Sequence, residues 1–275
     1  MKELERKYEE LKKFIAEKGK DGVIVAFSGG LDSTTLAEIC YEILGEKAIA
    51  VTLDSEIYPS QEIKEAKRLA RKIGIKHYVL RINHFSDKKF VRNSVERCYF
   101  CKRASLVLLQ KFARKIGFKV IFEGTNFSEL KGHRPGFKAV KEMENVFSPW
   151  VECKFKKDEI RILAKKLRLP VYNKPSMACL SSRIPFGDKI TKEKLKKIEK
   201  AENIVRKLTK AKQVRARMHG NLIRIEVSKE ERKLFFNLKV VEKLVRNLKI
   251  LGFDYITLDL EGYRTGSMLK TVKVR

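Results

Sequence analysis

Two glycines, an aspartate and a row of hydroxyl side chains follow the first apolar run of the sequence. The segment SGGLDS covers Ser28 to Ser33 and leads into residues with helical spacing. Backbone amides in such a turn, aimed by glycines and by the start of a helix, form a cradle for a phosphate-like anion. The segment is neither a Walker A loop nor a dinucleotide fingerprint, because it lacks the Gly-Lys-Ser/Thr of the first and the third glycine of the second. The alternative is a plain turn in which Ser33 caps a helix.

Cysteines form the second group of residues with chemical potential. The segment ERCYFCK places Cys98 and Cys101 at C-x-x-C spacing, and ACLSSR contributes Cys179. One C-x-x-C supplies only two of the four ligands that a structural zinc needs, whereas a third cysteine nearby would leave a metal or cluster with one open position. The pair is also compatible with a redox-active or zinc-binding motif unrelated to the other cysteine. Cys40 is predicted to be a small buried side chain, and the role of Cys153 stays open.

Short β-branched runs alternate with segments of helical spacing between residue 22 and about residue 170. Nearly apolar strands separated by helices predict an α/β fold with a parallel sheet covered on both faces. The predicted strands are VIVAFS, AIAVTLD, HYVLRI and VIFEGTN, and the predicted helices are Thr34–Leu44, Gln61–Ile73, Ala104–Ile116 and Lys157–Leu167.

Ligands of such folds bind at the carboxyl ends of the strands. The segment SGGLDS ends the first strand, TLDS with Asp54 ends the second, and EGTN with Gly124, Thr125 and Asn126 ends the fourth. The last two are also ordinary ways to begin a loop. Their positions favour a shared ligand site.

The pattern changes after about residue 170. A Lys-rich helix at roughly 191–208 precedes QVRARMHGNLIRIEV, which predicts two strands around a His-Gly-Asn turn, and then a helix and the strand YITLDL. We therefore predict a first domain over 1–170, a linker over 171–190 that carries Cys179, and a smaller C-terminal α+β domain over 191–275 for substrate binding or oligomerisation.

The composition limits the class of protein. In 275 residues, 62 Lys and Arg face 34 Asp and Glu, a net charge of +28. Such a charge suits nucleotides, pyrophosphate or RNA as partners, although it also fits a solvated lysine-rich surface. No window has the length of a membrane span, and five cysteines do not resemble a secreted disulfide framework. We therefore expect a cytoplasmic protein.

The segment SGGLDS resembles the PP-loop of the ATP pyrophosphatases, which cut ATP between its α and β phosphates while they adenylate a substrate. The resemblance implies that ATP, with Mg²⁺, is held at its pyrophosphate end by this loop. The residues implied for the ATP site are Ser28, Gly29, Gly30, Asp32, Ser33, Asp54, Gly124, Thr125, Asn126 and Arg134. Asp32 is also expected to take part in catalysis, and Arg134 either contacts phosphate or anchors its loop.

A closer resemblance is to the LarE family, the sulfur-inserting enzymes of nickel-pincer nucleotide biosynthesis. It is carried by SGGLDSTTL, ERCYFCK, EGTN, HRPG, SPWVE, LPVYNKPSMACLSSRIPFGDKIT, RARMHGNLIRIEV and DLEGYRTGSM. The resemblance implies that ATP adenylates a carboxylate of pyridinium-3,5-biscarboxylic acid mononucleotide and that sulfur then displaces AMP.

The same resemblance implies roles in sulfur transfer. Cys179 matches the sulfur-donating cysteine, whose Cβ–S bond breaks to leave dehydroalanine and a thiocarboxylate. Glu226 matches an acidic residue, either a base or a metal ligand, at the transfer site. The substrate phosphate would be bound by Ser182, Arg183, Arg215 and Arg217. Taken alone, these charged residues would be read as exposed ion pairs.

The C-x-x-C pair leaves the source of sulfur open. Some members of the family are expected to hold a [4Fe–4S] cluster with three cysteines, which here would be Cys98, Cys101 and Cys179. An iron without a protein ligand would then carry sulfide, and Cys179 would survive turnover. Two other functions also remain: a PP-loop tRNA thiolation enzyme, and a non-catalytic ATP-binding assembly protein. The family resemblance also suggests a homo-oligomer.

Overall fold

In a computed structural model of the protein, the described residues are 2–131, 134–175 and 178–271. They form two compact units: the first contains 2–55, 60–86, 96–131 and 134–175, and the second contains 56–59, 87–95 and 178–271. The domain boundaries at 170 and 190 stay a prediction. Within these described ranges, none of the helices combines the length and hydrophobicity that a membrane span requires.

The first unit contains a five-stranded sheet in which every pairing is parallel. Its strands are β1 (Val23–Ala26), β2 (Ala48–Asp54), β3 (Lys76–Arg81), β4 (Val120–Phe122) and β5 (Val146–Phe147), in the order β3-β2-β1-β4-β5. The predicted α/β fold is confirmed. The sequence did not predict β5, because two residues are too few to give a periodic pattern.

Helices cover this sheet and also contribute to the second unit. In chain order they are α1 (Lys2–Gly19), α2 (Leu31–Leu44), α3 (Ser60–Ile73), α4 (Lys88–Val91), α5 (Arg97–Lys115), α6 (Pro135–Lys141), α7 (Pro149–Glu152), α8 (Lys157–Lys166), α9 (Lys192–Thr209) and α10 (Leu238–Ile250). Of these, α4, α9 and α10 belong to the second unit. The other seven contribute to the first unit, where the apolar strands are buried on both faces.

The largest difference from the predicted helix bounds is at the start of α5. Helix α5 starts at Arg97 and not at Ala104, so that Cys98 and Cys101 lie in its first turns. The periodic apolar positions start only at Leu106, which is why the pattern missed these turns. They are supported by α6, where a Cβ at Gly136 would lie 3.4 Å from the Cys98 carbonyl oxygen.

The second unit contains a smaller sheet of three strands. They are β6 (Val214–His219), β7 (Leu222–Val227) and β8 (Tyr255–Leu258), in the order β6-β7-β8, with β6 antiparallel to β7 and β8 parallel to it. One face packs on α9 and α10 through a core that includes Val214, Ala216, Ile225, Val205 and Leu248. Because side chains alternate along a strand, Arg215 and Arg217 project from the opposite face. The predicted α+β unit is confirmed.

Candidate functional site

The segment between β1 and α2 folds back on itself. The backbone N–H of Ser28 donates to Ser33 Oγ at 3.2 Å, and the two serine hydroxyls lie 3.0 Å apart. The N-cap residue of α2 is Gly30 and not Ser33, and no side-chain hydrogen bond caps the helix at this position. The first amides of α2 therefore remain available to an anion, and the helix dipole adds to their positive potential.

Two glycines let this loop lie close to its neighbours. Gly29 has φ +68°, and a Cβ there would lie 3.1 Å from the Cα of Ala66 in α3. A Cβ at Gly124, just after β4, would lie 3.3 Å from the backbone N of Ser33. Strand β1 pairs with β2 on one side and with β4 on the other, so the order of the strands reverses here. This is the position where α/β sheets bind ligands.

Asp32 is held by groups from three other elements. Its Oδ2 lies 2.5 Å from Lys157 Nζ, its Oδ1 accepts from Asn126 Nδ2 at 3.1 Å, and its carbonyl accepts from the indole of Trp150 at 3.1 Å. The loop also carries a second cation, because Lys174 Nζ donates to the Gly29 carbonyl at 2.8 Å. Burial lowers the pKa of Lys174. Both lysines are well placed to face the charge of a bound phosphate.

Glu123 forms a buried polar centre beside the loop. Its carboxylate accepts from Lys102 Nζ at 2.6 Å, from the Thr125 hydroxyl at 2.8 Å and from the Ser148 hydroxyl. Burial alone would raise its pKa, but the charge of Lys102 and these hydrogen bonds leave the pKa below its usual value. Thr125 therefore supports Glu123, whereas its neighbours Gly124 and Asn126 contact the loop directly.

Two of the predicted ATP-site residues have partners away from the loop. Asp54 pairs with Arg81 at 3.0 Å, at the carboxyl ends of β2 and β3. Arg134 lies 3.6 Å from Glu129. Burial raises the pKa of Glu129, with opposing effects from Arg134 and Asp32. The two residues preceding Arg134, of which His133 belongs to the HRPG motif, lie outside the described residues.

The C-x-x-C pair lies at the same edge of the sheet. Helix α5 begins after the carboxyl end of β3, with Cys98 exposed and Cys101 partly buried. Residues three apart on a helix share a face. The next residue, Lys102, reaches Glu123 at the end of β4. Within the first unit, the pair is thus tied to the segment that contacts the SGGLDS loop.

Cys179 lies in the second unit, immediately before a short turn that is organised by one arginine. Its carbonyl accepts from the Ser182 hydroxyl at 2.8 Å and from Arg183 at 2.8 Å. Arg183 is 1% exposed and also binds Glu202, with Nε to Oε1 at 2.8 Å. Glu202 binds Arg206 as well, at 2.8 Å. The arginine thus forms a buried ion pair and not the exposed pair that composition alone would favour.

A second buried network lies on β6 and β7. Glu226 accepts from Arg217 at 2.8 Å through Oε2, and through Oε1 from Ser267 at 2.9 Å and Arg224 at 3.3 Å. Arg217 also donates to the Ser182 carbonyl at 3.0 Å. Both carboxylate oxygens of Glu226 therefore accept hydrogen bonds. This arrangement fits a role of Glu226 in orienting Arg217 better than a role as a base.

Arg215 is buried and lies close to a second cation. Burial, and then the neighbouring charge of Arg183, lower the pKa of Arg215 to about 10. Its guanidinium lies 5.3 Å from the ring centre of Tyr263. The charge of Glu202 acts in the opposite direction on the pKa of Arg215.

Five residues with such contacts were not among the predicted site residues: Lys157, Lys174, Lys102, Glu123 and Glu202. Lys102, Lys174 and Glu123 lie within the quoted motifs, but no role was predicted for them. All are charged residues in a chain where charge is common, so only their partners distinguish them. Within the described part of the chain, no group of three or more His, Cys, Asp or Glu is arranged for a metal ion.

Known proteins share these sequence features. A family model described as NAD synthase matches residues 3–216. The chain is 32% identical to the pyridinium-3,5-bisthiocarboxylic acid mononucleotide synthase of Lactiplantibacillus plantarum, over 91% of this chain and 90% of that protein. It is 38% identical to an uncharacterized protein of Synechocystis, over 96% and 97% of the two chains. An uncharacterized protein of Methanocaldococcus jannaschii is 31% identical, over 94% and 98%.

Proposed function

This chain belongs to the LarE family of PP-loop enzymes, and we propose that it is an ATP-dependent sulfur transferase acting on pyridinium-3,5-biscarboxylic acid mononucleotide. The observation that carries the proposal is the anion cradle of Ser28 to Ser33 at the strand-order reversal, in a chain similar to that synthase over nine-tenths of its length.

The first step is activation of a carboxylate by ATP. The amides of the loop bind the pyrophosphate end, and Lys157 and Lys174 balance its negative charge. Asp32 supplies the carboxylate oxygens that suit Mg²⁺, which would add further positive charge at the phosphates. Transfer of AMP to the substrate releases pyrophosphate and turns a poor acyl electrophile into a good one.

The second step is sulfur transfer. A thiolate from Cys179 attacks the acyl carbon and AMP leaves. A base then removes the Cα proton of Cys179 as the Cβ–S bond breaks, which releases the thiocarboxylate and leaves dehydroalanine in the chain. Ser182, Arg183, Arg215 and Arg217 are proposed to bind the substrate phosphate, because arginine forks suit phosphate oxygens.

The alternative source of sulfur is an external sulfide carried by a cluster. Cys98 and Cys101 offer two thiols on one helical turn beside the ATP site, which fits part of the ligand set of a [4Fe–4S] cluster. Cys179 would be the third ligand. Such a cluster would leave one iron for sulfide, and the chain would then turn over repeatedly.

One experiment separates the two routes. The intact mass of the protein is measured after an anaerobic reaction with ATP, Mg²⁺ and the pyridinium mononucleotide, next to iron and sulfide analysis. A loss of about 34 Da at Cys179, one hydrogen sulfide, indicates sacrifice of the cysteine. An unchanged mass with bound iron indicates the cluster. Absence of pyrophosphate release would contradict the function itself.

Assembly and location remain predictions. The second unit exposes several large apolar side chains, including Phe236, Leu238 and Ile250, which supports the expected homo-oligomer. Sedimentation analysis of the full chain tests this point. A cytoplasmic site of action is proposed from the cysteine composition alone.

A further inference from the structure

A buried histidine lies behind the C-x-x-C turns, in the same unit as the ATP loop. His84 is 1% exposed. Its Nδ1 lies 2.9 Å from the Ser55 hydroxyl, and its Nε2 lies 3.3 Å from the Ser105 hydroxyl. Ser105 in turn donates to the Cys101 carbonyl at 2.9 Å. A continuous chain of hydrogen bonds therefore runs from Ser55 to Cys101.

The chemistry of its members fixes the direction of this chain. A carbonyl oxygen can only accept, so the single proton of the Ser105 hydroxyl points to Cys101. His84 must then donate from Nε2 to Ser105. In the neutral imidazole, Nδ1 accepts from Ser55. Serine often donates to the carbonyl four residues earlier in a helix, but the buried imidazole behind Ser105 extends this local bond to another element.

The two ends of the chain lie in functionally different places. Ser55 directly follows Asp54, the last residue of β2, at the sheet edge where ATP is proposed to bind. Cys101 lies in the first turns of α5. The adjacent Lys102 attaches the same turns to Glu123, whose neighbour Gly124 packs on Ser33. The cysteine turns are thus joined to the carboxyl edge of the sheet at two points.

We propose that His84 and Ser105 are positioning residues. They hold the helical turns of Cys98 and Cys101 in a fixed position relative to the carboxyl end of β2, where the nucleotide is proposed to bind. Binding of a nucleoside triphosphate at that edge then alters the reactivity of the two thiols through the Ser55–His84–Ser105 chain. The inference rests on the proposed function, because it requires ATP at this edge and a role for the cysteines in sulfur delivery.

The first test uses the full chain without iron. The rate of alkylation of Cys98 and Cys101 is measured by peptide mass spectrometry, with and without a non-cleavable ATP analogue. The compared proteins are the wild type, Ser105→Ala, Ser105→Thr and Ser86→Ala. Ser86 follows His84 by two residues, and its hydroxyl donates to the Asn83 carbonyl at 2.8 Å. It does not belong to the Ser55–His84–Ser105 hydrogen-bond chain, so Ser86→Ala is a matched control.

The expected result is a nucleotide-dependent rate in the wild type that is lost in Ser105→Ala. It should be restored in Ser105→Thr, which keeps a hydroxyl, and retained in Ser86→Ala. A wild-type rate that ignores the nucleotide overturns the proposal. An Ser105→Ala protein that responds as the wild type does would also overturn it.

A second readout is iron retention after anaerobic loading with iron and sulfide. Loss of a supporting hydrogen bond behind a ligand typically weakens metal binding about 10-fold or more, and we expect this for Ser105→Ala. Pyrophosphate release by the wild type is recorded in the same samples. Its absence would defeat the proposed function, whereas its presence together with unchanged thiol reactivity in Ser105→Ala would defeat only the positioning role.

Discussion

Replacement of Gly29 by alanine tests whether the geometry of the loop is what binds the phosphates. Two effects act on this residue. Its φ of +68° lies in the left-handed region, and an added Cβ would lie 3.1 Å from the Cα and 3.2 Å from the N of Ala66 in α3. These contacts are to backbone atoms, so the loop or the helix must shift to make room.

The two effects have different sizes. A left-handed backbone costs an L-residue about 1–2 kcal/mol. Overpacking adds about 1–3 kcal/mol. Gly117 offers a matched control in the same unit, because its φ is +80° and a Cβ there would meet nothing within 4 Å. Gly117→Ala should therefore show only the first cost, and the difference between the variants measures the contact with α3.

The rate of pyrophosphate release should also differ between Gly29→Ala and Gly117→Ala. A shifted loop re-aims the amides that bind phosphate, and loss of one hydrogen bond to a charged group is worth about 1.5–3 kcal/mol. This corresponds to about a 10- to 100-fold lower kcat/KM for pyrophosphate release. Urea unfolding and a pyrophosphate assay measure the two quantities. If Gly29→Ala matches Gly117→Ala in both stability and rate, the loop does not act as described.

Three further predictions concern charge and burial. The pKa of Glu123 lies below its usual value of 4.5, so its contribution to stability is present above pH 4.5 and is lost as the pH falls through the folded-state pKa. Glu123→Gln should therefore flatten this part of the pH dependence of the free energy of urea unfolding. An unchanged slope in the variant would contradict this prediction. Glu202→Gln breaks a buried network and should cost about 3–5 kcal/mol in the same assay, whereas Glu193→Gln on the exposed side of α9 should leave the free energy of unfolding nearly unchanged; equal costs would refute the buried pairing. Burial raises the pKa of Cys153 to about 11, so iodoacetamide at pH 8 should modify exposed Cys98 long before Cys153, and the reverse order in a time course would show the burial to be wrong.

The fold could be predicted where apolar runs and turn-forming residues give a clear local pattern. Four of the five strands and the hairpin of the second unit follow from apolar runs and a Gly-Asn turn, because both are local features. Strand β5 and the first turns of α5 could not be predicted in this way. The two residues of β5 are too few to show a periodic pattern. The turns that carry Cys98 and Cys101 are supported by α6, which follows α5 along the chain and is separated from it by β4.

The candidate site shows the same division. The segments SGGLDS and EGTN could be found because glycines and hydroxyls mark tight turns, and Gly124 does lie against Ser33. Lys157 and Glu202 gave no signal, since one lysine or glutamate in so charged a chain looks like any other. Their importance comes from their partners: Asp32 lies 125 positions from Lys157, and Arg183 lies 19 positions from Glu202. Contacts of this range depend on the folded structure.

The most direct test of sulfur transfer is mass spectrometry of the small-molecule product. The protein is incubated anaerobically with ATP, Mg²⁺ and pyridinium-3,5-biscarboxylic acid mononucleotide, and the nucleotide fraction is analysed. We predict a product in which one carboxylate oxygen is replaced by sulfur, formed together with AMP and pyrophosphate. Recovery of the unchanged dicarboxylate, with ATP intact, would contradict the account.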